Sequence, residues 1–249
     1  MIAALPMYDM APLLAANDAF WAAIRDALWA RGIAAPDALD RQTGMWEGWM
    51  SPDLVLGQTC GMPYRTKLHG HVTLIAAADY GLPDTPPGHY HSVFVARPED
   101  GDKRPEDFAA RPFTYNQPES HSGWAAPQNW AAARGFRFRP AVESGGHRAS
   151  ALAVAEGRGD LAALDAITWR FLTVHEPDLT RRLTVIGRTD TAPGLPFIAA
   201  PGADAGAMRA ALAEALDALP QAIRETLMIR AIVPVSAAQY LAVPTPAAP

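Results

Sequence analysis

Short apolar segments alternate with helical patterns along most of this 249-residue chain. The segments that we predict to be strands lie at 2–7, 53–59, 72–78, 91–97, 113–116, 138–143, 161–165, 183–189 and 197–200. Between several of them apolar residues recur every three or four positions, which is typical of an amphipathic helix. This alternation favours an α/β architecture with mixed, mostly parallel sheets flanked by helices.

Polar loops follow five of the predicted strands. They lie at 8–9, 58–61, 120–123, 144–147 and at Asp165. In open α/β sheets, ligands bind outside the carboxyl ends of the strands. We therefore expect these loops to converge on one ligand cleft.

The most informative loop lies within residues 111–124. A short strand and a Pro-marked turn lead to Ser-His-Ser-Gly at 120–123, and an Ala-rich helix follows. The first N–H groups of a helix have no intrahelical partner, and the helix dipole makes that end partly positive. Hydroxyls, an imidazole and a glycine at this position suit an anion. In the simpler interpretation, Ser120 or Ser122 only caps the helix.

Composition excludes several classes of function. Basic residues number 21 against 26 acidic ones, and no basic run occurs, so a nucleic-acid partner is not expected. No apolar run approaches the 18 residues of a membrane-spanning helix. Cys60 is the only cysteine, so no intrachain disulfide can form.

Three weaker signals concern metals and nucleophiles. His69 with His71, and His89 with His91, have the two-residue spacing that lets strand side chains chelate a metal. No carboxylate or cysteine completes either pair at close spacing, so we predict no metal site. A lone cysteine beside a strand end is more often a packing residue than a nucleophile. We therefore predict no catalytic residue and no cofactor.

Four sequence blocks, at 53–64, 119–124, 144–147 and 160–166, resemble those of a known family. They are similar in order and spacing to the PhnD-type substrate-binding proteins for phosphate, phosphite and phosphonate, within the type II periplasmic-binding fold. The resemblance implies two α/β lobes joined by two crossing strands, with the ligand trapped between them. Lobe one would comprise 1–96 and 183–249, and lobe two 97–182.

The resemblance also implies roles for residues of lobe two. Ser120, His121, Ser122 and Gly123 match the family's Ser-Thr-Ser-Gly, which holds phosphonate oxygens. His147 matches a further donor to the anion. Asp165 matches an aspartate suited to a cationic group on the ligand, such as an amine, although it is also placed to cap the next helix.

Two differences qualify this transfer of roles. His121 replaces the family's threonine, which removes a neutral donor and adds a titratable one. In lobe one the matches are looser, and they are Tyr8, Thr59 and Tyr64.

The resemblance implies a non-enzymatic, monomeric solute-binding protein. It would close around a small oxyanion, a phosphonate or a phosphate-like compound, and present it to the permease of an ABC importer. The alternative is a cytoplasmic enzyme or ligand sensor on the same scaffold, acting on a phosphorylated or anionic metabolite.

Two further expectations concern the ends of the sequence. The family's location is the periplasm, but the first residues lack the pattern of a signal peptide. Either an export signal was removed or the protein is cytoplasmic. The segment 243–249 is rich in Pro and Ala, and we predict that it is loose.

Overall fold

A computed structural model describes residues 1–249, which form two compact units. Unit 1 comprises residues 1–89 and 193–242, and unit 2 comprises 90–192 and 243–249. The chain thus changes unit after residues 89, 192 and 242. The sequence prediction placed the first two of these boundaries after residues 96 and 182, and assigned 243–249 to the first lobe.

Twelve strands are present. They are β1 (Ile2–Ala4), β2 (Leu54–Gln58), β3 (Thr73–Asp79), β4 (His89–Tyr90), β5 (Ser92–Ala96), β6 (Pro112–Tyr115), β7 (Arg139–Glu143), β8 (Leu161–Asp165), β9 (Thr184–Arg188), β10 (Ala192–Pro193), β11 (Pro196–Ala199) and β12 (Ala231–Val233).

Ten α-helices accompany them. They are α1 (Leu14–Trp29), α2 (Met45–Met50), α3 (Gly61–Pro63), α4 (Ala126–Ala132), α5 (His147–Ala155), α6 (Ala166–His175), α7 (Pro177–Thr180), α8 (Ala205–Ala218), α9 (Gln221–Leu227) and α10 (Ala237–Leu241). Tyr64–Leu68 and His121–Ala125 form π-helical turns, which continue α3 and precede α4 respectively. None of the helices has the length and hydropathy that crossing a membrane requires.

Unit 1 is built on a five-stranded sheet with the order β1-β2-β11-β3-β12. β1 and β2 are parallel, whereas β11 runs antiparallel to both of its neighbours. Helix α1 packs against α8 and α9 with the apolar stripe that its sequence predicts, since Phe20, Ile24 and Leu28 are buried.

Unit 2 is built on a second five-stranded sheet, with the order β7-β6-β8-β5-β9. β6 is parallel to β7 and β8, and β5 is antiparallel to β8 and β9. The carboxyl ends of β6, β7 and β8 therefore meet at one edge of the sheet. The amino end of β5 lies at the same edge, because Ser92 pairs with Asp165. The core beneath is largely aromatic and contains Phe94, Phe108, Phe113, Trp124, Trp130 and Phe138.

Both large sheets are mixed in the same way. In each sheet one strand directly follows a change of unit, and these strands are β5 in unit 2 and β11 in unit 1. Each of them is antiparallel to both of its neighbours. A third, two-stranded sheet pairs β4 with β10. The predicted α/β class with mixed sheets flanked by helices is confirmed. The expectation that the sheets are mostly parallel was wrong, because three of the eight pairings in the two five-stranded sheets are parallel and five are antiparallel.

The segment 243–249 is held by side chains of unit 2. The indole Nε1–H of Trp124 donates to the carbonyl of Ala247 at 3.0 Å, and Asn129 Nδ2 donates to the carbonyl of Pro244 at 2.8 Å. Trp124 has no exposed surface, so its N–H needs an acceptor inside the protein. The prediction of a loose segment did not take these two donors into account.

Candidate functional site

The candidate site lies at the edge of the unit 2 sheet where β6, β7 and β8 end. The loop after β6 leads to Ser120, whose side-chain oxygen accepts a hydrogen bond from the N–H of Gly123 at 3.1 Å. Ser120 is therefore the N-cap of the helix that begins at His121. Ser122 does not cap the helix, which leaves its hydroxyl for another partner.

The helix begins in the wider π register, since the N–H of Ala125 donates to the carbonyl of Ser120 at 3.0 Å. Continued by two residues, this register would pair residue 127 with the carbonyl of Ser122. Residue 127 is proline and has no N–H. The Ser122 carbonyl instead accepts the hydroxyl of Ser92, on β5, at 2.8 Å.

The hydroxyl of Ser122 lies against His147. Ser122 Oγ and His147 Nε2 are 2.7 Å apart. His147 is the first residue of α5 and follows the loop at the end of β7. Backbone hydrogen bonds hold that loop beside the end of β6, since the N–H of Gly145 donates to the carbonyl of Asn116 at 2.8 Å. The structure thus brings together two of the predicted loops.

His147 is neutral at physiological pH. Burial lowers its pKa from 6.5 to about 4, because the imidazolium would be poorly solvated. Its Nδ1 is buried without a hydrogen-bond partner. If Nδ1 carries the proton, it is an unused donor. If Nε2 carries the proton and donates to Ser122, the hydroxyl hydrogen of Ser122 is unused. Either tautomer leaves one donor of this pair without a partner.

His121 and Gly123 complete the helix start. His121 is 4% exposed and its ring lies 5.8 Å from that of Tyr90, centroid to centroid. A Cβ on Gly123 would lie 2.0 Å from Asn116 Oδ1, so only glycine fits without a rearrangement. The space beside Gly123 is thus occupied by the side chain of Asn116, which glycine allows to approach the helix start closely.

Asp165 ends β8 and caps α6. Its carboxylate accepts a hydrogen bond from the N–H of Ile167 at 2.7 Å, and the residue is 2% exposed. Capping, the simpler of the two roles that the sequence suggested, is present. Pairing with Ser92 places the carboxylate at the same sheet edge as Ser122.

The three predicted residues of unit 1 have different surroundings. Thr59 follows β2, and its buried Oγ1 has no hydrogen-bond partner. The ring of Tyr8 packs edge-on against Tyr80 at 5.4 Å. Tyr64 lies in the apolar core of unit 1, 5.0 Å from the ring of Tyr240, and burial raises its pKa.

Sequence reasoning missed Ser92, Asn116 and Tyr90. Asn116 directly follows β6, so a search for polar residues at carboxyl ends would have found it. Ser92 begins its strand, and only the antiparallel direction of β5 places it among the carboxyl ends of its neighbours. The direction of a strand cannot be read from its own residues.

Unit 1 also contains a cavity of about 320 Å³ beside β1. Its lining is mostly apolar, and its charged side chains are already paired. Arg41 Nε lies 2.6 Å from Asp9 Oδ2, and Asp40 accepts hydrogen bonds from the backbone and hydroxyl of Thr43. This cavity is less suited to an anion than the edge of the unit 2 sheet. No group of three or more His, Cys, Asp or Glu side chains is placed to hold a metal ion.

The fold is that of the two-lobe periplasmic binding proteins. PhnD1 from Prochlorococcus marinus (MIT 9301), solved with methylphosphonate, matches with a TM-score of 0.71 at 17% identity, over 96% of this chain and 93% of that chain. A binding protein of an ABC phosphonate transporter from Pseudomonas aeruginosa matches with a TM-score of 0.68 at 18% identity, over 96% and 82%. XAC2383 from Xanthomonas citri, bound to chloride, gives 0.69 at 14% identity, over 96% and 92%.

Sequence comparison identifies the family. No curated protein matches the chain, but residues 53–240 match the family described as "ABC transporter, phosphonate, periplasmic substrate-binding protein". This match spans more than half of the chain, and the chain belongs to that family. The family comprises solute-binding components of transporters rather than enzymes, and its partners are a ligand and a permease. The predicted family and solute-binding role are confirmed.

Proposed function

We propose that this protein binds a small oxyanion of the phosphonate or phosphate-ester class at the start of the helix at His121, in unit 2, and passes it to an ABC permease. The observation that carries the proposal is the Ser122–His147 pair. It lies at a helix start, and it leaves one buried donor unused in either tautomer. The methylphosphonate bound to PhnD1, a protein of the same fold, supports the ligand class.

The donors at this site are neutral, and neutral donors can support an anion site. A hydrogen bond to a charged group contributes about 1.5–3 kcal/mol net, and a helix end about 0.3–1 kcal/mol. Four or five such contacts support a micromolar site, about −8 kcal/mol, after the costs of binding. The net charge of −5 therefore does not oppose an anionic ligand.

We assign individual roles with these contacts in mind. Ser122 or His147 donates to the anion, depending on the tautomer, and Ser120 holds the helix end. Gly123 makes room for the side chain of Asn116 and remains a predicted ligand residue. Asp165 would face a cationic group of the ligand. His121 remains a predicted ligand residue, as do three residues of unit 1, which are Tyr8, Thr59 and Tyr64.

Calorimetric titration and thermal unfolding test this proposal. The panel is methylphosphonate, 2-aminoethylphosphonate, phosphate, phosphite, sulfate and acetate. We expect a phosphonate to raise the melting temperature, since a ligand that binds only the folded state stabilises it. If Asp165 faces a cation, the aminoethyl compound binds more tightly than methylphosphonate. A panel without binding or thermal shift would refute the anion site.

Ser122→Ala and His147→Ala test the site itself. Each should weaken phosphonate binding at least tenfold, because each removes a donor and leaves its partner unpaired. Thr180→Val is the matched control. Thr180 is buried in the same unit, and its hydroxyl donates to the carbonyl of Pro177, in α7, at 3.4 Å, rather than to a residue of the site. Equal losses of phosphonate affinity in all three variants would mean that the effect arises from unit 2 as a whole and not from the Ser122–His147 pair.

We also propose a periplasmic location and a monomeric state. Light scattering on a sizing column should give the chain mass of 26.7 kDa with and without methylphosphonate. Fractionation of cells that express the complete reading frame should recover the protein with periplasmic markers. A dimer mass, or recovery with cytoplasmic markers, would contradict the corresponding part of the proposal.

A further inference from the structure

Ser92 is the polar residue that joins the start of β5 to the helix start. It is 1% exposed, so its hydroxyl must find its partner inside the protein. That partner is the carbonyl of Ser122, at 2.8 Å. The sequence assigned no role to Ser92, and Ser92 lies outside the four sequence blocks that resemble the family.

The backbone of Ser92 is held from the other side. Its N–H donates to Thr189 Oγ1 at 2.9 Å, and its carbonyl accepts from the N–H of Thr189 at 2.9 Å. Both bonds use backbone groups of Ser92, so replacing its side chain leaves them in place. The side chain is thus committed to one interaction, the bond to Ser122.

The carbonyl of Ser122 requires this external donor. In the π register that opens the helix, its intrahelical donor would be residue 127, and Pro127 has no N–H. A buried carbonyl without a donor costs free energy comparable to a lost hydrogen bond. Ser92 therefore supplies the missing bond and fixes the peptide plane of Ser122.

We propose that Ser92 is a positioning residue for the anion site: by holding the Ser122 carbonyl, it aims the Ser122 hydroxyl at His147. The role rests on the proposed function, because Ser92 would act on the ligand only through Ser122. We therefore expect a substitution of Ser92, on β5, to alter the affinity for the anion although Ser92 does not contact it.

Ser92→Ala and Thr180→Val form the test pair, since each deletes one buried hydroxyl of unit 2. Calorimetry with methylphosphonate should show about five- to tenfold weaker binding for Ser92→Ala, the equivalent of one hydrogen bond. Thr180→Val should change affinity less than twofold. Equal affinities in wild type and Ser92→Ala, or equal losses in the two variants, would overturn the positioning role.

A spectroscopic readout without ligand separates this inference from the proposed function. In protein labelled with ¹⁵N-histidine, His147→Asn identifies the ring signals of His147. Ser92→Ala should shift the Nε2 signal of His147, because the hydroxyl that faces it is no longer held, and Thr180→Val should leave it in place. An unmoved signal refutes positioning even where phosphonate binds. A shifted signal in a protein that binds no oxyanion supports positioning and refutes the proposed function.

Pro127→Ala provides a second check, because it restores a backbone N–H that can reach the Ser122 carbonyl. The double variant Ser92→Ala/Pro127→Ala should lose less affinity than the two single variants combined. Additive losses would show that Ser92 does not act through this carbonyl. Thermal unfolding of each variant confirms that it is folded.

Discussion

At the edge of the unit 2 sheet, polar side chains at the ends of neighbouring strands bind one another, whereas in unit 1 two of the three predicted residues lie among aromatic rings. Ser122 reaches both Ser92 and His147 through hydrogen bonds. Tyr8 packs on Tyr80 and Tyr64 on Tyr240. The predicted residues thus have two outcomes. At the unit 2 edge small polar residues form a hydrogen-bonded cluster, whereas in unit 1 the two tyrosines join aromatic rings and Thr59 has no hydrogen-bond partner.

Physical size explains this difference. Burying a tyrosine ring removes a large apolar area from water, and that gain directs the ring inward wherever neighbouring rings can receive it. Serine, glycine and histidine gain less from burial and must satisfy their polar atoms. Polar loops at strand ends are therefore a better guide to a site when their residues are small.

The largest expected effect is the acid sensitivity of unit 2. The pKa of His147 is depressed in the folded state, to about 4 from 6.5, so between these values the unfolded chain binds the proton and the folded chain does not. Stability should be unaffected above pH 6.5, and should fall by about 3 kcal/mol as the pH drops to 4. Urea unfolding of the ligand-free protein across this range measures the loss.

His147→Asn isolates this contribution from those of the other titrating groups. The variant should lose less stability than the wild type between pH 6.5 and 4, by most of that amount. If the free energy of unfolding depended on pH equally in the two proteins, the His147 ring would be solvated. The unit 2 site would then not be the desolvated site that distinguishes it from unit 1.

A methyl group added to a glycine in the first turn of a helix should affect the two units differently. In Gly123→Ala the new Cβ would lie 2.0 Å from Asn116 Oδ1, whereas in Gly61→Ala it would lie 3.6 Å from Tyr240, an ordinary contact. We expect Gly123→Ala to cost about 1–2 kcal/mol and Gly61→Ala to be neutral or slightly stabilising. Chemical denaturation of both variants measures this.

The clash can be relieved in a second step. Adding Asn116→Ala to Gly123→Ala should recover part of the lost stability, because the side chain that meets the new Cβ is gone. If the double variant is no more stable than Gly123→Ala, the cost lies in the backbone of the helix start rather than in this contact.

Tyr240→Phe examines the aromatic side of the comparison. The buried hydroxyl of Tyr240 donates to the carbonyl of Gly194 at 2.8 Å, and burial raises the pKa of the phenol, which keeps it protonated. Losing this bond should cost about 1 kcal/mol of folding free energy and leave methylphosphonate affinity within twofold. A tenfold loss of affinity with unchanged stability would mean that this aromatic cluster contacts the ligand.

The smallest effect should come from Asn129→Ala, which removes one of the two donors to the segment 243–249. Because the contact is exposed, we expect less than about 1 kcal/mol in stability. Amide-proton NMR should show faster solvent exchange of the Trp124 indole N–H, since the carbonyl of Ala247 is held less firmly. Unchanged exchange would show that the Trp124 bond alone retains the segment.

Much of the fold and part of the site could be predicted from the sequence. Apolar segments of five or so residues placed most strands, and Ser-His-Ser-Gly followed by an Ala-rich run placed the helix start at 120–123. The sequence could not show that Ser120 is the cap while Ser122 faces His147. That division depends on the π register and on a loop 25 residues away along the chain.

By itself, the sequence determined the α/β class, the family and the residues at the carboxyl ends of the strands, because periodicity and short motifs are local properties. Only the tertiary structure decided which of those residues meet. The antiparallel course of β5 brings Ser92 to the Ser122 carbonyl that Pro127 leaves without a donor, and the burial of His147 keeps its ring neutral. Strand direction and desolvation arise from contacts between distant parts of the chain, and no local pattern encodes them.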